Sequence, residues 1–459
     1  MNGLTHSLIH TRLPAYAAAC LALITVPGAA GSPGATDSGP AASTTAYSVQ
    51  ATALNAAQRQ LFHKGEAEFR SRWVPLFNIG GNWGRGPTSN AEACSDCHAG
   101  NGRGRAPESE DERLTSMLLR LSLSGTDARG GPLPHPAYGL QLQEQGVLGK
   151  VPPEGRVAIA WQEHQVPLAG GEIANLRRPQ VRIEAPGFGP TGDLLTSARV
   201  APPVFGLGLL EAVTEETLIR VAQTQMRMGY GGRLNRVWDE QAQAHRPGRF
   251  GWKATQPAIT QQAAAAFLAD IGVTTPLYPE QNCPLPQLAC RDQPSPSGPE
   301  QNQPAFDALV FYLRALAAPA RRNPRDPEVM RGEALFARAQ CVVCHLPELR
   351  TGDYPPLPQL ANLVIRPYTD LLLHDMGDGL ADHRPEYRAG GRDWRTPPLW
   401  GLGLSGKVNG NATLLHDGRA RNVTEAILWH GGEAAAAREI YRKLPKADRA
   451  ALAAFLDSL

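Results

Sequence analysis

Two pentapeptides, Cys94-Ser-Asp-Cys97-His98 and Cys341-Val-Val-Cys344-His345, carry the residue types and the spacing that attach c-type haem. In each, two thiols three positions apart can add across the vinyl groups of a porphyrin. The adjacent histidine is then held beneath the iron as its proximal ligand. A structural zinc site would want four ligands grouped in one small fold, and a redox dithiol would want one Cys-x-x-Cys near a βαβ pattern. Here the motifs lie 247 positions apart and each has its own histidine. Two covalent haems are therefore expected, one on Cys94, Cys97 and His98, the other on Cys341, Cys344 and His345.

The surrounding chain must deliver these motifs to the right compartment and hold them. Residues 1–30 read as a secretory signal, with Arg12, an apolar run over 13–26 and a small-residue exit at 27–31. That run falls short of the roughly 20 residues a membrane-spanning helix needs, and no later segment reaches that length. A periplasmic protein that is not integral to the membrane is expected, with a lipoprotein anchor at Cys20 as the alternative. Residues 31–50 read as a flexible linker. The remainder divides into a haem domain over 51–274, a Pro-rich loop over 275–304 and a second haem domain over 305–459. Cys283 and Cys290 lie in that loop, where an oxidising compartment favours a disulfide over two free thiols. A net charge of +2 gives no reason to expect a nucleic-acid partner. With 40 Pro, 47 Gly and 6% aromatics, long connections between modest helices are expected, the porphyrins supplying part of the core.

The two halves repeat one another beyond the pentapeptides. Gly65-Glu-Ala-Glu-Phe69 precedes the first motif and Gly332-Glu-Ala-Leu-Phe336 the second. Downstream, Arg199-Val-Ala-Pro-Pro-Val-Phe-Gly-Leu-Gly-Leu209 recurs as Arg395-Thr-Pro-Pro-Leu-Trp-Gly-Leu-Gly-Leu404. Prolines bar helix there and glycines permit close approach, so this loop reads either as an apolar turn against a haem face or as core packing. Helices over 259–270 and 446–459 are expected to close the halves, the second burying Leu452, Phe455 and Leu459. The predicted fold is mainly α, with two tandem class I cytochrome c-like domains. The first is enlarged by loop-rich insertions over 70–93 and 100–198, which include short strands, for example near 157–161.

With these motifs in view, the chain resembles the bacterial di-haem oxidoreductases of the peroxidase type, some of them called thiol oxidoreductases, which are relatives of di-haem cytochrome c peroxidase and of MauG-like enzymes. The resemblance spans nearly all of the mature chain. It rests on both haem motifs, SARVAPPVFGLGLLEA at 197–212, GRFGWKA at 248–254, YTDLLLHDMGDGLAD at 368–382, WRTPPLWGLGL at 394–404 and LLHDGRARNVTEAILWHGGEA at 414–434. In such enzymes the residue fourteen positions beyond the His of the HDG turn is the distal ligand of the C-terminal haem, methionine in peroxidases and tyrosine in MauG. Counting from His416 gives His430, so the resemblance implies ligation by His345 and His430, and a lower potential than a His/Met haem would have. A packing histidine beside Trp429 is the alternative.

The resemblance also implies that peroxide or oxygen chemistry takes place at the N-terminal haem. That chemistry needs an open iron position and an acid-base group. Glu211 is one candidate for the catalytic group, although the relatives place theirs further downstream, where 223–228 holds no carboxylate. Met226 or Met228 could instead close the sixth position. His374 is the other candidate, for proton transfer, for a place at a haem edge, or for holding a metal with Asp375 and Asp378. His135 and His164 are weaker distal candidates, and Trp252 and Trp400 are either relays or core. The relatives also hold a calcium between domains, although no loop here shows a calcium pattern. The expected function is a di-haem peroxidase-like oxidoreductase supplied by a small periplasmic electron donor or acceptor, with peroxide or another small substrate. The alternatives are a non-catalytic electron carrier, for example in periplasmic iron redox, and a haem dioxygenase.

Overall fold

The computed structural model describes residues 43–51, 53–75, 82–294 and 297–459. The signal and most of the linker expected at 1–50 lie outside them. No helix among the described residues is long and apolar enough to cross a membrane.

Two helix pairs frame the molecule. The helices that bear on the site are α1 (Ala56–Arg70), α2 (Glu215–Arg227), α3 (Ile259–Ala266), α4 (Gln303–Ala315), α5 (Pro327–Arg338), α6 (Val423–Leu428) and α7 (Lys446–Ser458). Side-chain caps start several of them: Asn55 and Gln58 form a capping box on α1, Asn302 caps α4 and Asp326 caps α5. α1 packs along α4, and α5 packs along α7. The repeated glycine is the contact point in both pairs. A Cβ on Gly65 would collide with the Ala308 carbonyl, and one on Gly332 with the Ala451 carbonyl. Leu452, Phe455 and Leu459 are buried as expected.

Two expectations are corrected here. The helix over 259–270 does form, ending in a π turn at Phe267–Ile271, but α4, from beyond the Pro-rich loop, is the partner of α1. The hydrophobic pattern of 259–270 gave no means of choosing between two apolar helices so close in sequence. Nor is the fold mainly α, since 31% of it is helix and 20% strand in several small sheets. The insertion over 100–198 accounts for much of the strand. β1 (Met117–Thr126) pairs antiparallel with β4 (Leu195–Val200), Met117 opposite Val200. Between them β2 (Arg156–Pro167) and β3 (Ile173–Glu184) form a long hairpin, Arg156 opposite Glu184. The strand expected near 157–161 is the start of β2. In the second half β5 (Leu373–Asp375) pairs with β6 (Asp393–Arg395). The Cys283–Cys290 disulfide is present, its Cα atoms 5.7 Å apart.

The cores do not follow the two halves of the sequence. One cluster joins Phe62, Phe69 and Tyr312 of the first helix pair to Leu349, Leu357, Leu360 and Trp400 from the second half. The other joins Leu119, Val157, Ile159 and Leu176 of the insertion to Phe336, Leu452 and Phe455 of the second helix pair. The repeated loops also engage each other. Gly206 (φ +71°) and Gly401 (φ +75°) have the same left-handed backbone, and their amides donate to the carbonyls of Leu316 and Leu459, just beyond the ends of α4 and α7. A Cβ on Gly206 would strike Trp400, and one on Gly401 would strike Phe205.

Candidate haem-binding cavity

One cavity of about 530 Å³ runs between the two pentapeptides. Cys94, Cys97 and His98 line it at one place and Cys341, Cys344 and His345 at another, with the prolines of both repeated loops also in its wall. A single helical turn, Cys94–Cys97, presents the first thiol pair, and a 3₁₀ turn, Cys341–Val343, presents the second. All four thiols are free of disulfides. Burial raises the pKa of each, to about 12 for Cys94 and Cys341. They are therefore neutral thiols in an apolar wall.

Both motif histidines suit iron. Burial lowers His98 and His345 to about 4, so each ring is neutral at physiological pH. His345 donates from Nδ1 to the Tyr368 carbonyl at 2.9 Å, which fixes the ring and leaves Nε2 as the ligand atom. His98 has a buried Nδ1 with no hydrogen bond of good geometry. His430, just after α6, is anchored through Nδ1 to the Ala426 carbonyl at 2.7 Å and lines the same cavity. It is also close enough to His345 for their charges to interact. Paired neutral thiols, neutral histidines with a free nitrogen and a large apolar cavity between them fit two covalent porphyrins. Cys94, Cys97 and His98 would hold one, and Cys341, Cys344, His345 and His430 the other.

Glu211 lies elsewhere. Its carboxylate accepts from Arg314 Nε at 2.8 Å, from the Ile259 amide at 2.7 Å and from the Tyr354 hydroxyl. It is not in the cavity wall, so it ties the end of the first repeated loop to α3 and α4. His374 does line the cavity, 3.7 Å from Cys344 Sγ. Its Nε2 lies 2.9 Å from Asp370 and its Nδ1 2.8 Å from Glu433. Burial opposes the charged form, but the bonds to Asp370, Cys344 and Glu433 outweigh it and hold the imidazolium up to about 12. A ring so clamped cannot cycle a proton near neutrality. The metal set suggested for it is not assembled either, because Asp375 pairs with Arg392. Among the described residues, the one group of three or more His, Cys, Asp or Glu side chains close enough for a single ion is Cys344, Asp370 and His374. There the thiol belongs to the haem motif and both imidazole nitrogens are taken.

The remaining distal candidates fall away. Met226 and Met228 are 68% and 58% exposed on and just after α2. His135 and His164 lie outside the cavity wall, the latter edge-on to Trp429. Trp252 and Trp400 do line the cavity; Trp252 donates Nε1 to the Val200 carbonyl at 2.8 Å.

Asp270 is the residue that sequence reasoning missed. It lies in the π turn after α3, lines the cavity, and is close enough to Cys94 and Cys97 to perturb both thiols. Burial raises its pKa, opposed by Arg120 and by a 3.1 Å hydrogen bond from Gln141. A signal for it did exist. A carboxylate at the C-terminal end of an Ala-rich apolar helix opposes the helix dipole and asks for another reason to be there, and π turns favour functional sites.

A family model described as "Di-haem oxidoreductase, putative peroxidase" matches residues 27–459. No curated protein and no solved structure matches the chain.

Proposed function

The chain belongs to the di-haem oxidoreductase family, and from that premise we propose that it is a periplasmic di-haem c enzyme that reduces peroxide, with one haem site for chemistry and one for electron transfer. The observation that carries this reading is an asymmetry within one cavity. His345 has a second anchored histidine, His430, in the same wall and close enough for their charges to interact, whereas His98 has no such partner among the described residues. The other two histidines in the wall have partners of their own, His374 in Asp370 and Glu433, and His416 in Asp417, 3.4 Å from its Nε2, with its ring stacked on Trp394. His345 and His430 would together hold the second haem, which suits electron transfer, and His98 would hold the first, leaving room for a small substrate. Bound there, the haems would supply one-electron redox chemistry.

The chain's own residues supply the proton handling. Asp270, half-buried beside the first motif, holds a proton on its carboxyl more readily than an exposed aspartate does. That makes it the acid-base group for moving a proton between peroxide oxygens, in place of Glu211. The apolar wall of the repeated loops keeps bulk water away. The disulfide supports an oxidising compartment, and the electron donor is a small periplasmic redox partner.

Low-temperature EPR and optical spectra of the oxidised protein, before and after adding hydrogen peroxide, test the reading. One high-spin and one low-spin ferric signal, with the high-spin one responding to peroxide, is the expected result. Two low-spin signals unmoved by peroxide, in both the oxidised and the half-reduced protein, would make the protein an electron carrier instead.

A further inference from the structure

Seven arginines line the cavity, against three carboxylates, Asp270, Glu386 and Glu433. Three of the seven pair with carboxylates of the protein. Arg199 and Arg384 pair with Glu386, and Arg199 also with Asp382, while Arg438 pairs with Glu439. Of the other four, Arg120 and Arg249 are half-buried. Arg103 and Arg395 are buried, at 9% and 7% exposure, and neither forms an ion pair with a carboxylate. Arg103 donates to one backbone carbonyl, Leu415, and its Nε is buried without a partner. Arg395 donates only to the carbonyls of Gly251 and Thr396. A guanidinium cannot shed its proton in a protein interior, and an uncompensated buried charge is strongly unfavourable. These two cations therefore lack their anion.

The duplication sharpens the point. Arg199 and Arg395 open the two copies of the same loop, yet the first is neutralised by Asp382 and Glu386 and the second is not. In the first half the unpaired arginine is instead Arg103, five residues beyond His98. Arg395 lies opposite Leu373 in the β5–β6 pair and is close enough to Asp370 for their charges to interact, and Asp370 in turn bonds His374 and lies near Cys344. Each haem motif thus has one buried arginine nearby in no ion pair with a protein carboxylate.

Resting on the two-haem reading above, we infer that Arg103 and Arg395 are the counter-cations of the haem propionates, Arg103 for the haem on His98 and Arg395 for the haem on His345. A planar fork of donors suits a carboxylate better than a point charge does. Burial disfavours the charge on both guanidiniums, a cost that an anion carried by a bound group would offset. The carboxylate could also be that of a soluble anion, and the test distinguishes the two sources.

The full-length protein would be prepared with Arg103→Gln, Arg395→Gln and the corresponding Lys substitutions. Covalent haem would be counted by the pyridine haemochrome, and midpoint potentials measured from pH 5 to 9. Resonance Raman would follow the propionate bending bands. In the wild type two haems are expected; fewer would refute the two-haem reading and not this inference alone. With two haems present, each Gln variant should shift one propionate band, lower the potential of that haem, because an anion is left unpaired beside the iron, and steepen its pH dependence. The Lys variants should restore part of each change, and they decide the matter if a Gln variant fails to load haem. Unmoved bands and potentials would overturn the inference. So would acetate at millimolar concentration perturbing the wild-type haem spectra but not those of the Gln variants, since the arginines would then serve a soluble carboxylate.

Discussion

His374 and Glu433 are joined at 2.8 Å although 59 positions apart in the chain, and with the bond to Asp370 this favours the charged imidazolium beside the second haem motif. Glu433 also accepts from the amides of Gly231 and Asp375, so one carboxylate gathers three segments around that ring.

Stability should depend on pH through this histidine in a stated direction. Its folded pKa, about 12, lies above the ordinary value of 6.5, so its contribution is complete below about pH 6.5 and is lost as pH rises towards 12. Between those limits one such group changes stability by at most about 1.4 kcal/mol per pH unit. The difference in melting temperature between the wild type and His374→Gln should therefore narrow from pH 6 to pH 9. A constant difference across that range would show that the ring is neutral in the folded protein.

His430→Ala should leave both haems attached, because the thioether bonds and His345 are untouched, and should turn the second haem high-spin or water-ligated. His345→Ala should abolish stable ligation of that haem. Optical and EPR spectra read both outcomes, and an unchanged low-spin signal in His430→Ala would remove His430 as a ligand.

The two carboxylates should separate by their readouts. Asp270→Asn should lower peroxide turnover by about 10²- to 10⁴-fold, the usual worth of a positioned acid-base group, and flatten the acid limb of the pH profile. Glu211→Gln should leave turnover per folded molecule close to that of the wild type. It should cost about 3 kcal/mol of stability, because it leaves Arg314 half-buried without its anion. Rate profiles with denaturation curves distinguish the two.

Gly65→Ala and Gly332→Ala should each destabilise the protein by about 1–3 kcal/mol, since a methyl must be forced into a helix contact that already touches carbonyl oxygen. Chemical denaturation should find the two penalties similar, reflecting the same contact in both copies. A neutral result at either position would mean that the helix pair can spread at no cost.

The residues singled out by spacing are the ones the structure gathers into one wall. Cys94, Cys97, His98 and their counterparts announce themselves by adjacency, and His430 by its distance from the HDG turn. All of them line one cavity. Asp270 and Glu211 show what spacing cannot convey, because whether a carboxylate faces a cavity or an arginine depends on contacts 48 to 143 positions away. Likewise the repeated Gly-Glu-Ala segments at 65–69 and 332–336 told that an opening helix exists in each half, but not that α4 rather than α3 would receive the first. The strand content was underestimated because β2 and β3 carry charged residues on an exposed face, which dilutes the apolar alternation that strands show.

The interleaving of the two cores has a consequence for how the halves can part. Leu349, Leu357 and Leu360 of the second half complete the core around the first helix pair, and the insertion of the first half completes the core around the second. Cleavage in the Pro-rich loop should therefore leave two fragments that stay together, each holding apolar surface that the other covers.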